Sequence, residues 1–344
     1  MSRVAEALER WGVLVAFVLL VGWNAGFAEN AELFRSPQNV RNLFNQNAAT
    51  GVVAVGMTLV IVAGGIDLAV GSVMALAGAV ALLCSNALLG AWAGADGTAA
   101  GWVEVASVLI GIAAGLGTGA ACGAVHGVLV TVGRLPAFIA TLGGLVAWRS
   151  VTLALADAGE IRSASNWFLR NLGTGGVPLG PAAWYADGRP IVATWNIMVF
   201  LAVAVAGQVL LARTRWGRHL VAVGGNELAA RYAAVPVGAV RFVAFVLVGA
   251  CAGAAGLMQS ARMNSVSSSQ LGLQMELDAI AAVVIGGTSM AGGRGRVWGT
   301  VLGVLILGIV NNMLVVADVS VHWQGFVKGV IIVGAVLVQR GRRP

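Results

Sequence analysis

The sequence predicts an all-α, polytopic membrane bundle of about ten transmembrane helices, and three observations predict it. Only 10% of the residues are charged, against roughly 25% in a soluble domain. Apolar residues make up 58% of the chain, and many apolar runs reach the roughly 20 residues needed to cross a bilayer. The arginines gather between those runs, so the pI of about 10.6 is read as a set of topology signals and not as a nucleic-acid surface. Residues 1–344 are read as one transmembrane domain whose solvent is membrane lipid.

Arg3 and Arg10 precede the first span, about 11–27. No small-residue cleavage site follows, so a retained span is expected and not a signal peptide. A mixed polar connection, 29–45, leads to span two (48–63), which ends at Gly64-Gly65-Ile66-Asp67. Span three (68–92) and a polar link (93–101) precede span four (103–132), which is overlong and therefore expected to tilt or to break at its glycines. Arg134 and Pro136 mark a tight turn into span five (137–156). The longest polar connection, 157–190, contains NWFLRNLG (166–173), expected as a helix lying flat in the interface.

Span six (191–212) leads into a basic loop, 213–241, and span seven (242–259) leads out of it. A serine-rich link, 262–272, opens onto span eight (273–290), a short span that begins with Glu276 and Asp278. The turn 292–296 enters span nine (297–316), 317–321 turns again, and span ten (323–339) ends in Arg340, Arg342 and Arg343.

Ten spans put both termini on one side. With that side cytoplasmic, thirteen of the 21 basic residues fall inside, six fall outside, and Arg149 and Lys328 lie within spans. The positive-inside rule then assigns 213–241 to the cytoplasm and 157–190 to the periplasm. Removing one span reverses the later loops and spoils the bias.

Glycine supplies 49 of the 344 residues, about twice the usual ~7%. Small residues let membrane helices approach closely or break, although 20 arginines against one lysine also suggest a skewed codon pool. Gly64-Gly65 followed by Gly71-Ser72-Val73 is echoed by Gly292-Gly293 followed by Gly299-Thr300-Val301. With glycine this frequent, chance accounts for the echo. Cys84, Cys122 and Cys251 sit singly in apolar runs and are read as inert small hydrophobes.

Enzyme signatures are missing: there is no HExxH, no GxSxG and no GxxxxGK[ST]. No catalytic residue, metal site or cofactor is expected. His126, inside span four, is read as hydrogen-bonded to a neighbouring span. The pathway and hinge candidates are polar or glycine-rich points at span ends: Gly64, Gly65, Asp67, Glu276, Asp278, Gly286 and Gly287, with Asn311 inside span nine. Glycine-interrupted, discontinuous spans are where transporters build passages, whereas Asp67 and Asp278 taken singly also suit helix caps. Asn312 and Thr58 can face the same interior. The span centres hold almost no paired ionisable groups of the kind an ion-coupled carrier uses, which favours an external source of energy.

The loop 213–241 carries five arginines and one acid, Glu227, with a short helix in its middle. Asn226 follows Gly224-Gly225 as an N-cap, and Glu227 falls in the first turn, where the helix dipole favours an anion. Ala229, Ala230 and Arg231 are helix formers, and Pro236 ends the run. A capped helix held between two spans is a natural handle for a cytoplasmic partner; an ordinary loop with a helical turn is the plainer alternative.

Three segments, Gly56–Val80, Gly217–Val237 and Glu276–Gly303, occur in order and resemble the permease subunit of ATP-binding cassette sugar importers of the ribose/xylose/galactose group. The similarity extends over about 39–340. It implies a cytoplasmic ATPase contacting Gly224, Gly225, Asn226, Glu227, Ala229, Ala230 and Arg231, a periplasmic sugar-binding protein, a second permease copy or sister permease, and a bacterial inner-membrane location. Members of that group usually read Asn-Pro-Glu-Ala-Ala-Arg and then Ser-Gly-Ile here. This chain has Asn226-Glu227-Leu228-Ala229-Ala230-Arg231 and then Ala233-Ala234-Val235. The alternatives are a same-type permease for a nucleoside, a branched-chain amino acid or a furanosyl signal, and an ion-coupled secondary transporter.

Overall fold

A computed structural model describes residues 3–26, 31–92, 101–165, 167–179 and 191–340. Its central post is α3 (Pro37–Val62), after α1 (Arg3–Gly26) and the short α2 (Ala31–Arg35). The Ser36 side chain accepts from the Asn39 amide at 3.2 Å and Pro37 takes the first helical position, so the entry to α3 is capped before any packing is counted. Nearly every residue from Ala48 to Val62 is buried, the pattern of a helix enclosed on all sides. Around it stand α7 (Trp195–Arg213), α10 (Val237–Met263), α11 (Met275–Ile285) and α12 (Val297–Val316). Fully buried Phe200 of α7 lies against α3 where Gly51 leaves no side chain.

Among the described residues seven helices are long and apolar enough to span a membrane: α3, α4 (Val70–Trp92), α5 (Gly101–Thr131), α6 (Ala137–Leu155), α7, α10 and α12. The other expected spans correspond to α1, with its apolar stretch Gly12–Gly26, to α11, and to α13 (Val321–Arg340). The expected connections at 93–101 and 157–190 lie partly outside the described residues.

The overlong fourth span does not break. α5 runs unbroken over 31 residues, and its glycines at 111, 115, 119, 123 and 127 form one face at four-residue spacing. Gly111 and Gly115 lie on the α4 backbone at Ala81 and Ala77, and Gly119 and Gly123 lie on α10 at Gly249 and Phe245. Here the small residues serve backbone-to-backbone packing.

Span eight differs more. α11 has 11 residues, about 17 Å of helix where a bilayer core needs about 30 Å. Gly286 and Gly287 end this half-helix and do not lie inside it. The segment before it folds back into the bundle, and Arg149, 12 residues along α6, fastens it. Its guanidinium donates to the carbonyls of Ser268 and Leu271 at 2.9 Å each and reaches the Gly71 carbonyl at 3.5 Å. These contacts answer the need that non-helical backbone at membrane depth be satisfied by protein.

At the end of the bundle away from residues 213–241 the loops carry two small antiparallel sheets, an addition to the all-helical expectation. β1 (Glu160–Arg162) pairs with β4 (Ser265–Ser267), and β2 (Gly176–Leu179) with β3 (Ile191–Thr194). Glu104 accepts from Ser165 Oγ and the Trp167 amide at 2.8 Å each. The segment expected as a flat interfacial helix is a π-helical turn, Phe168–Gly173, with Phe168 buried beside α10; Asn166 lies outside the described residues.

Candidate functional site: a capped surface helix and the polar interior

Residues 213–225, expected as plain loop, are mostly helix. α8 (Arg215–Gly225) starts where Thr214 Oγ1 accepts from the Gly217 amide at 3.1 Å. Its apolar face, with Leu220 and Val223, is buried. Asn226 then breaks the chain direction in an extended conformation, and its Oδ1 accepts from the Ala229 amide at 2.9 Å. This is the expected N-cap of the expected helix, α9 (Glu227–Tyr232). The helix stops earlier than Pro236 requires, because Ala234 takes a left-handed turn at φ 58°. The Val235 amide returns to the Ala230 carbonyl at 3.0 Å, the closing bond of a Schellman-type end.

Glu227 ties α9 in two directions. One carboxylate oxygen lies 2.6 Å from Arg231 Nη2, one turn on, and the other lies 2.7 Å from Arg241 Nη2 at the start of α10. The Arg231 hydrogen bond, with Arg241 beside it, holds the Glu227 carboxyl below its ordinary range. Ala230 is buried underneath, while Leu228 and Tyr232, one turn apart, are 63% and 85% exposed. An apolar pair projecting from a short helix at one end of the molecule is a surface without an intramolecular use. Sequence reasoning passed over both residues, since neither motif nor charge marks them.

The seat of α8 and α9 is built of glycine. A side chain at Gly224 would strike the Val62 carbonyl and the Gly293 amide, and the Gly293 amide itself donates to the Val62 carbonyl at 2.9 Å. Gly64 and Gly292 both take left-handed φ, 82° and 85°, and meet each other beside Gly224. The two glycine turns noted as an echo are therefore neighbours, one before α4 and one before α12. Gly64, Gly65, the turn at Arg134, and Glu227, Arg231 and Arg241 open onto one cleft of about 1010 Å³.

The remaining pathway and hinge candidates separate. Asp67, fully buried, accepts from the Ala69 amide at 2.8 Å and so acts as a local cap. Its second oxygen is 3.4 Å from His126 Nδ1, outside hydrogen-bond geometry, while Trp148 Nε1 donates to His126 Nε2 at 3.0 Å. Glu276 points to Gly71 of α4. Asp278, two residues on, lines a separate chamber of about 200 Å³ with Asn311, Gln46, Asn47 and Thr50. Gly286 packs on Gly299 of α12. Among the described residues no group of His, Cys, Asp and Glu has the arrangement of a metal site.

A family described as "branched-chain amino acid transport system / permease component" matches residues 39–336. The chain belongs to this permease family. The permease is 38% identical over 330 residues to the ribose import permease protein of Escherichia coli K12, covering 96% of this chain and 93% of that one. It is 37% identical over 308 residues to the Bacillus subtilis ribose import permease protein, covering 89% and 86%. It is 31% identical over 371 residues to the xylose transport system permease protein of Escherichia coli K12, covering 94% and 88%. No solved structure matches the permease.

Proposed function

We propose that this permease is the membrane-spanning subunit of a binding-protein-dependent importer that moves a monosaccharide of the pentose or hexose class across the bacterial inner membrane, powered by ATP hydrolysis on a separate cytoplasmic subunit. The observation that carries the reading is α9, capped at Asn226, clamped through Glu227 and carrying Leu228 and Tyr232 outward. Closure of an ATPase pair pushes on this helix, and the glycine seat at Gly64, Gly224 and Gly292 passes the push to α3, α4 and α12. A periplasmic binding protein delivers the sugar at the opposite end, a second permease copy or sister permease completes the passage, and both termini are cytoplasmic.

The ribose and xylose relatives support the sugar, and the family's own description supports a branched-chain amino acid as the second reading. Arg231→Glu, or deletion of 226–234, abolishes ATP-driven uptake while the protein still inserts. A variant so altered that still co-purifies with its ATPase and transports normally overturns the docking role. Uptake that survives ATP depletion and collapses with the ion gradient overturns the ATP-driven reading in favour of a secondary transporter.

A further inference from the structure

The contact between α3 and α12 is marked by polar groups along its length. Towards the sheet-bearing end, Asn39 and Asn312 exchange amide hydrogen bonds at 3.2 and 2.9 Å. Towards the α9 end, the hydroxyls of Thr58 and Thr300, both buried, meet at 2.7 Å. Between them the polar side chains surround a volume of about 200 Å³. Counted along α3, Asn47 lies about 12 Å from the amide pair and about 16 Å from the hydroxyl pair, at helical rise. The chamber therefore sits part-way along the α3–α12 contact, half-open beside the exposed Gln46, with a closed polar contact above and below it.

Its chemistry is selective. Gln46, Asn47 and Thr50 line it from α3, Asp278 from α11 and Asn311 from α12. Asn47 Nδ2 donates to the Leu43 carbonyl at 2.7 Å, and the missing side chain at Gly308 is what makes room for that amide. Asn311 Oδ1 is buried and accepts no hydrogen bond from the protein, so it is free to take one from a solute hydroxyl. Among the described residues no lysine, arginine or histidine lines the chamber. The carboxylate of an amino acid finds no counter-charge there, and a phosphorylated sugar meets only the carboxyl of Asp278. A neutral ring with several hydroxyls finds amide and carboxyl acceptors, and Val304 and Leu307 offer an apolar wall to its C–H face. The volume suits one sugar ring.

We infer that this chamber is where an uncharged monosaccharide rests in transit, held by hydroxyl contacts to Asn311 and Asp278. The inference rests on the sugar-importer reading and names the part of the permease that handles the cargo. The test is ATP-driven uptake of labelled D-ribose, D-xylose and a hexose panel, with L-leucine alongside, by the complete complex with its ATPase and binding protein in proteoliposomes. Asn311→Leu keeps the branched outline of the side chain, at somewhat greater bulk, and removes the acceptor. It is expected to lower uptake at subsaturating sugar at least tenfold, with the complex assembled in wild-type amount. Thr50→Val is expected to lower uptake several-fold and carries the test if Asn311→Leu does not assemble. An assembled variant that transports sugar like wild type overturns the chamber assignment and leaves the importer reading standing. A wild-type complex that moves leucine, or moves no sugar of the panel, overturns the sugar reading and the chamber with it.

Discussion

Arg241, at the foot of α10, reaches back past the turn at Pro236 to place Nη2 2.7 Å from Glu227 Oε2. The same carboxylate holds Arg231 within α9. Helix α9 is thus joined to a long membrane helix by an ion pair as well as by its backbone, and a force on α9 has a direct route into α10.

Because both arginines favour ionised Glu227, its folded-state pKa lies below the unfolded value. Its contribution to stability is full above the ordinary glutamate range, near pH 4.3, and is lost as pH falls through the lower folded value. Both partners are substantially solvent-exposed, so the α9 pair contributes about 0.3–0.5 kcal/mol. Glu227→Gln should therefore barely move the melting temperature at pH 7. It should reduce ATPase stimulation by the assembled complex, and unchanged coupling would leave the clamp as local decoration.

Leu228→Ala and Tyr232→Ala should each weaken capture of the cytoplasmic ATPase by tenfold or more, the scale of a buried interface anchor. Neither should affect insertion or melting of the isolated permease, since both side chains face outward. Titration of purified permease against its ATPase decides this. Wild-type affinity in the double variant would move the interface elsewhere.

Ala234 takes a left-handed conformation that costs a non-glycine residue about 1 kcal/mol or more. Ala234→Gly should be neutral to stabilising by up to about 1 kcal/mol, the gain being offset by the added freedom of the unfolded chain. Ala234→Val should lower the melting temperature and fray α9. Greater stability for valine than for glycine would contradict the left-handed turn.

Asp67→Asn should slow uptake several-fold while leaving ATPase capture unchanged. Its carboxyl is buried beside His126 at the non-helical entry to α4, whereas Leu228 and Tyr232 face outward. Unchanged uptake would reduce Asp67 to the cap of the Ala69 amide.

The parts legible in the sequence are those whose cause is local. Asn226 and Glu227 announce α9 because capping and dipole effects act within one turn, and the arginine distribution separates loops from spans because charge is excluded from lipid. What escaped depends on partners distant in the chain. Hydropathy gives span eight no visible half-length, because the segment's backbone is satisfied by Arg149, more than a hundred residues earlier. Glycine counts could not say that Gly119 faces Gly249 or that Gly64 meets Gly292. Asp67, Glu276 and Asp278 look alike as acids at span ends. The fold sends one to a cap, one to α4 and one to a chamber, and that division is tertiary.

The shortness of α11 bears on how the protein is made. A piece about 17 Å long with two acids in its first turn has too little apolar length to enter lipid alone. It settles only once α6, with Arg149, and α3 are already in place to receive it. The expected consequence is a late step in biogenesis, in which the C-terminal helices complete a cavity that the earlier part of the chain has prepared.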